Sequence, residues 1–309
     1  MKANRVHAFG PPNVISFEDV AVPEPGPGEV LVHVQASGVG PWDAWIRSGV
    51  SKVEQKLPIT LGSDLSGIVT AVGGEVKEFK PGDHVFGVTN PQFTGANAEY
   101  AVAQASMIAS KPRRLGFIES ASVPVVAVTA WQMLFDYAGV KNGQRVLILG
   151  GAGNVGAYAV QLARRAGAYA VATASESDAD YVYSLDADEV VFYSGGIEEG
   201  MEKFDAVIDT VGGDIQRQAI DFVSPGGILV SAVSRPDEEE ARRRGVRCLF
   251  FLVEVTTARL SELAAILDAG EIETNIGTML PLAEARTAHE MLDGMRSRPR
   301  GKIVLRHDT

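Results

Sequence analysis

Arg145-Val146-Leu147-Ile148-Leu149-Gly150-Gly151-Ala152-Gly153-Asn154-Val155-Gly156 carries an apolar run into a cluster of glycines. An apolar run with no polar alternation is the pattern of a strand buried on both faces. Beyond it Val155, Ala159, Val160, Leu162, Ala163 and Ala166 recur at helical spacing. Gly151, Gly153 and Gly156 therefore fall as G-x-G-x-x-G between a strand and a helix, the context in which that spacing points to a dinucleotide. Gly151 permits the tight turn, Gly153 lets the backbone approach a pyrophosphate, and Gly156 lets helix pack close on strand. The first amides of the helix then face the phosphates. The alternative, a glycine-rich turn with no ligand, is disfavoured by that context. No Gly-Lys-Ser or Gly-Lys-Thr closes the loop, so it is not a P-loop.

Outward from this turn, strands are expected over 169–174, 189–193, 204–209, 228–233 and 248–253, with helices over 178–185 and 215–223 between them. Strands alternating with helices mean an α/β unit with a doubly wound parallel sheet. Helices from 256 and over 283–295 lead to a last strand over 302–305. Up to about residue 110 the chain changes character, with short alternating runs such as Glu29-Val30-Leu31-Val32-His33-Val34-Gln35 cut by Pro and Gly turns. That predicts an irregular β-rich domain. A length of 309 residues suits two domains, and neither repeats nor low-complexity stretches are visible.

The 28 Lys and Arg against 39 Asp and Glu give a net charge of −11, which disfavours nucleic acid as a main partner. The segment from Asp237 to Arg244 places Glu238, Glu239 and Glu240 four residues before Arg242, Arg243 and Arg244, the signature of a solvated helix and not of a phosphate patch. Cys248 is the single cysteine, so there is no intrachain disulfide and no zinc site built from several thiolates. Polar residues interrupt the N-terminus, and no apolar stretch reaches the roughly 20 residues of a membrane span. A cytoplasmic protein is expected. His7, His33, His84, His289 and His307 show no metal-type pairing, so no metal site is expected.

Cofactor choice is ordinarily read about 20 residues past the glycines, where an acid binds the NAD ribose or a basic residue receives the NADP phosphate. Thr173-Ala174-Ser175 stands there, followed by Glu176, Asp178 and Asp180 with no Lys or Arg. A serine hydroxyl can hydrogen-bond a phosphate without repelling it. NADPH is expected on that ground, with NADH left open.

Several further stretches resemble the medium-chain dehydrogenase/reductase superfamily in its zinc-independent quinone oxidoreductase branch. They are Pro25-Gly26-Pro27-Gly28-Glu29-Val30-Leu31-Val32, Ser37-Gly38-Val39-Gly40-Pro41-Trp42-Asp43, Lys80-Pro81-Gly82-Asp83-His84-Val85, Ala98-Glu99-Tyr100, Thr129-Ala130 and Gly301-Lys302-Ile303-Val304-Leu305. Gly40 replaces the family's asparagine. Leu61-Gly62-Ser63-Asp64 stands where zinc alcohol dehydrogenases carry Gly-His-Glu.

The resemblance implies a GroES-like substrate domain, 1–124 completed by 254–309, beside a Rossmann domain over 125–253, with the active site in the cleft between them. It places Thr129 near the nicotinamide, Asn154 and Val155 with the glycines at the pyrophosphate, and Ser175 and Tyr193 at the adenosine ribose. Thr210, Val211, Ala232 and Val233 would line ribose and nicotinamide. Phe251 joins the same set, with core or dimer packing as its alternative. The family's phosphate-binding lysine is missing, and Asp178 stands near its place. The stretch over 250–253 resembles the strand through which relatives pair, so a homodimer is expected.

Hydride transfer is the cofactor's chemistry, so no strong catalytic acid is required and none is singled out. Trp42, Trp45, Asn90 and Phe93 are candidate walls for a flat conjugated substrate, with core or dimer packing as the alternative for Trp45. Asp43 is a candidate to orient it, with a turn-stabilising role as the alternative. The leading expectation is an NAD(P)H-dependent reductase of quinones or α,β-unsaturated carbonyls without zinc. A zinc-independent alcohol or aldehyde oxidoreductase, and a cofactor-binding sensor without turnover, stand as alternatives.

Overall fold

The strand Arg145–Leu149 runs inside a six-stranded sheet, with Val146 to Leu149 fully buried. These observations come from a computed structural model that describes residues 1–193 and 201–307. Strand order across the sheet is Glu189–Phe192, Tyr169–Ala174, Arg145–Leu149, Phe204–Asp209, Val223–Ser231 and Arg247–Phe250, and every pairing is parallel. The glycine-bearing strand thus lies between the second strand in chain order and the fourth. Connections leave it toward opposite edges, which makes its carboxyl end the switch point where such sheets open a crevice. Leu147, Leu149, Val171, Phe204, Val207 and Leu229 share one core cluster of this sheet.

The chain divides into two compact units, Met1–Val125 with Val255–Thr309, and Val126–Glu254. In the first, a seven-stranded sheet has the order Ile276–Pro281, Lys302–Arg306, Glu29–Val39, Asp64–Val72, His84–Val88 and Ile108–Ser110, with Tyr100–Gln104 also paired to Glu29–Val39. Val30, Val32 and Val34 point into its core in strict alternation. A smaller sheet joins Ile15–Asp19, Lys2–Val6 and Ile59–Thr60. The fold is therefore α/β, with a β-rich unit and a parallel-sheet unit.

Some elements differ from expectation, for local reasons. The strand expected over 228–233 ends at Ser231, whose hydroxyl is drawn to Asp209. The one expected over 248–253 is Arg247–Phe250, because Phe251 turns onto the ring of Tyr137 at 4.6 Å. The helix expected over 215–223 is Gly213–Ala219 followed by a 3-10 turn, Ile220–Phe222. The acidic and basic run does form a helix, Glu238–Arg243, capped by the Asp237 carboxylate, and Glu240 holds both Arg243 and Arg244. Among the described residues no helix is long and apolar enough to cross a membrane.

Candidate functional site

The turn after Arg145–Leu149 is anchored to the neighbouring strand. Gly150 N–H donates to Thr173 Oγ1 at 2.9 Å, and Gly151 N–H donates to the Thr173 carbonyl at 2.9 Å. Gly150 has φ +82°, a conformation suited to glycine. Any side chain there would meet Val211 and Thr210, whose hydroxyl in turn donates to the Leu149 carbonyl at 2.7 Å. Gly156 lies where the helix Asn154–Arg165 crosses the turn: a Cβ would sit 2.0 Å from the Gly150 oxygen. Gly153 precedes that helix as an exposed residue with no side chain to cap its first amides. Gly151, Gly153, Asn154, Val155, Gly156, Thr210 and Val211 are thus brought to one end of the sheet.

Asp209, at the head of the loop that carries Thr210 and Val211, organises this end. Fully buried, its carboxylate accepts from Val211 N–H, Gly212 N–H, Gln216 Nε2 and Ser231 Oγ at 2.6 to 3.1 Å. Those four bonds fix the loops that carry Thr210 and Val211 on one side and Ala232 and Val233 on the other. A buried carboxylate requires such satisfaction.

On the far side of the turn, a cavity of about 260 Å³ is lined by Thr173, Val191, Phe192, Tyr193, Val211 and neighbours from the helix Gly213–Ala219. Tyr193 is 45% exposed, and partial burial raises its hydroxyl pKa against a hydrogen bond with Thr173. Ser175 follows the strand Tyr169–Ala174, and its hydroxyl donates to Asp178 Oδ2 at 2.7 Å. The proton that was expected to meet a phosphate is therefore spent on a carboxylate. Thr129 lies nearly buried on the helix Pro124–Trp131. That helix widens into a π-helical segment, Gln132–Tyr137, whose Gln132 amide exchanges two hydrogen bonds with the Glu254 backbone. Phe251 is 7% exposed and belongs to the packing around Tyr137.

In the β-rich unit the candidates separate. On the helix Pro41–Ser48, Trp45 faces solvent while Asp43 is fully buried. Asp43 caps its own helix, accepting from Gly40 N–H at 2.8 Å. The Trp42 indole covers Gly40, where a Cβ would collide with the ring, and donates through Nε1 to Ser63 Oγ at 3.0 Å. Below it Lys302 Nζ stands 4.2 Å from the ring centroid and 2.8 Å from Asp64 Oδ2. Asn90 is a turn residue: Oδ1 accepts from Gln92 and Thr94 amides and Nδ2 donates to the Thr94 carbonyl. Phe93, partly buried, packs against Val6, Ile15, Ile46, Ile59 and Leu61. A cavity of about 650 Å³ does border this turn, between Gln92, Thr94 and Gly95 and the stretch from Val53 to Thr60. Glu54, Gln55, Lys56 and Thr60 of its lining were not anticipated; the polar run before Leu57-Pro58 was the available hint.

Burial pushes Asp43 up to about 7, ahead of the hydrogen bond from Gly40 and the charges of Lys302 and Asp64. Between its unfolded value near 3.8 and about 7, the folded protein holds a proton that the unfolded chain has released. Stability therefore falls as pH rises through that window, by on the order of 4 kcal/mol in all. Asp43→Asn keeps the acceptor for Gly40 and removes the titration. Its urea midpoint, measured against the natural protein, is expected to be similar near pH 4.5 and clearly higher at pH 8; a constant difference across that range contradicts the assignment.

His289, His307 and His33 serve packing. His289 bonds Arg47 at 3.3 Å and His307 bonds Ser37 at 3.0 Å, each driven down to about 3 mainly by burial. His33 stacks on Tyr100 at 4.8 Å. Among the described residues no three or more His, Cys, Asp or Glu side chains are grouped to hold a metal ion.

Residues 26–113 match the family described as the alcohol dehydrogenase GroES-like domain, and residues 178–305 the family described as zinc-binding dehydrogenase. A quinone oxidoreductase of Sus scrofa is 35% identical, covering 99% of this chain and 97% of that protein. The chain belongs to the quinone oxidoreductase group of the medium-chain dehydrogenase/reductase superfamily. A mitochondrial NAD(P)H oxidoreductase of Danio rerio, RTN4IP1, is 30% identical over 90% of this chain and 84% of its own length. The solved quinone oxidoreductase of Coxiella burnetii matches with a TM-score of 0.91 at 33% identity, covering 99% of both chains. This medium-chain dehydrogenase/reductase is thus an oxidoreductase whose family uses a nicotinamide dinucleotide. Its residues fit that group: the space a Gly153 side chain would fill is open but for the Gly150 oxygen at 3.2 Å, and the amides beyond it have no side-chain cap.

Proposed function

We propose that this chain is a reductase of quinones or α,β-unsaturated carbonyls that works without zinc. The carrying observation is the glycine turn, anchored to Thr173 and open at the start of the helix Asn154–Arg165, which suits a pyrophosphate. Bound there, a reduced nicotinamide would supply the hydride. The chain's own task is then to hold the dinucleotide through these amides, to exclude water and to present an apolar wall. Trp42 remains the aromatic candidate for that wall.

A zinc-free reaction is supported by the donor set at the family's metal positions. Where zinc alcohol dehydrogenases carry Gly-His-Glu, Ser63 Oγ accepts a hydrogen bond from the Trp42 indole and Asp64 is held by Lys302. With no Lewis acid to polarise a simple aldehyde, conjugated acceptors are the suitable class, because hydride adds to carbon while charge spreads to oxygen. Leu252 is 57% exposed beside the sheet-edge strand Arg247–Phe250, which supports a homodimer through that edge. A single cysteine, Cys248, suits the reducing cytoplasm.

The test is loss of nicotinamide absorbance by chelator-treated protein on a panel of quinones, enones and aldehydes. Turnover on quinones or enones is expected. Turnover confined to aldehydes, or abolished by the chelator, would overturn the proposal, and dinucleotide binding without turnover on any of them would favour a sensor.

A further inference from the structure

We propose that the cavity of about 650 Å³ in the β-rich unit is a second ligand site, suited to a small peptide-like ampholyte: a molecule with one carboxylate, one ammonium and amide groups between them.

The cavity lies wholly within the unit Met1–Val125 with Val255–Thr309, between the stretch from Val53 to Thr60 and the turn from Gln92 to Gly95. Hydrogen bonds tie these two walls together at two places. Gly95 N–H donates to the Thr60 carbonyl at 2.9 Å, and Gln55 Nε2 donates to the Gln92 carbonyl at 2.9 Å. Each wall is also fixed from behind. Thr60 pairs with Arg5 of the strand Lys2–Val6, while Asn90 Oδ1 accepts from the Gln92 and Thr94 amides. The space is therefore bordered by ordered backbone, and its volume falls in the range of small-molecule sites, roughly 300–1,000 Å³.

The lining sets the chemistry. Val53, Pro58 and Ile59 give it an apolar side, against which methylene groups can pack. Gln55, Gln92 and Thr94 give it neutral donors and acceptors. Gln55 spends one amide hydrogen on Gln92 and keeps its side-chain oxygen and a second hydrogen. Side chains of this kind match a peptide group, which offers one donor and one acceptor. Glu54 and Lys56 add one charge of each sign, and both residues are exposed. Among the described residues, neither of these side chains has an ion-pair or hydrogen-bond partner.

Charge decides among ligand classes. A simple anion would gain Lys56 but meet Glu54 and the protein's net charge of −11. A simple cation would gain Glu54 and meet Lys56. An ampholyte sets an opposite charge against each of them and brings no net charge into the protein's field. Pairs made with exposed side chains are weak, so each charged end is expected to contribute about three- to fivefold in affinity.

The experiment measures dissociation constants of three probes for the full-length protein in low salt at neutral pH, by nuclear magnetic resonance shift titration. Triglycine carries both charges, N-acetyl-triglycine only the carboxylate, and triglycinamide only the ammonium. Triglycine is expected to bind about three- to fivefold tighter than either of the others. Lys56→Gln is expected to erase its advantage over triglycinamide and keep that over N-acetyl-triglycine, and Glu54→Gln to do the reverse. Both replaced side chains are exposed, so the variants should fold as the natural protein does. Equal binding of the three probes overturns the proposal, as do advantages that survive both variants or an absence of saturable binding. No dinucleotide enters these titrations, so their outcome stands apart from the reductase reading.

Discussion

Lys302→Met is expected to lower the unfolding free energy by about 3–5 kcal/mol, read from the urea midpoint near neutral pH. Lys302 is 1% exposed, and its ammonium is held between Asp64 Oδ2 and the face of Trp42. Deleting it leaves the Asp64 carboxyl in the interior with, among the described residues, the Val125 amide at 3.2 Å to satisfy it. The cost is that of an orphaned buried charge and not the net worth of the pair. The double variant Asp64→Asn with Lys302→Met should recover most of the loss, because it removes both charges. Contrast Lys2 and Asp19, which approach to 2.7 Å but are 44% and 77% exposed. Water and salt already solvate that pair, so Lys2→Met should cost less than 1 kcal/mol. A Lys302→Met protein within 1 kcal/mol of the natural one would show that Asp64 takes up a proton at little cost or that water enters the site.

The parallel-sheet unit was legible because its information is local. A strand buried on both faces needs continuous apolar residues, and the turn after it needs glycine, so Val146 to Gly156 could be read without its neighbours. The same holds for the helix Thr257–Ala269, begun by Thr256 and ended by Gly270 in the left-handed conformation. Strand ends were less legible, since they depend on partners distant in sequence. Ser231 stops its strand by reaching Asp209, 22 residues away, and Phe251 leaves its strand for Tyr137.

Candidate side chains fared according to whether exposure could be inferred. Tyr193, Thr210 and Val211 cluster around Gly150 because loops at a switch point converge. Asn90 and Phe93 look like a polar and aromatic surface loop in sequence, but a left-handed Phe93, φ 59°, lays its partly buried ring against a core cluster while Asn90 bonds its own turn. Nothing in the local sequence announces that turn. Ser175 shows the same limit at the level of a proton: its residue type suits a phosphate, whereas Asp178, three residues on, decides where its hydrogen points.

Gly156→Ala is expected to destabilise the protein by about 3 kcal/mol or more and to abolish dinucleotide binding. The added methyl would stand 2.0 Å from Gly150 O, 2.8 Å from Gly150 C and 3.0 Å from Gly151 Cα. All three are backbone atoms, and Gly150 is fixed by its bond to Thr173 Oγ1, so no side-chain rotation relieves the contact. The helix Asn154–Arg165 would have to withdraw from the strand, opening the packing of Ala159, Val160 and Leu162 behind it. Gly153 supplies the control. Its backbone has φ −73°, the residue is exposed, and the contact that a Cβ would meet is Gly150 O at 3.2 Å. Gly153→Val should therefore fold with a thermal midpoint within a few degrees of the natural protein while losing nicotinamide binding, because its side chain enters the space of the pyrophosphate. The pair separates two roles that the motif combines, since only a ligand-binding reading predicts lost affinity at a position where the fold tolerates a side chain. Unchanged affinity in Gly153→Val would remove the pyrophosphate from this turn, whatever Gly156→Ala does to stability.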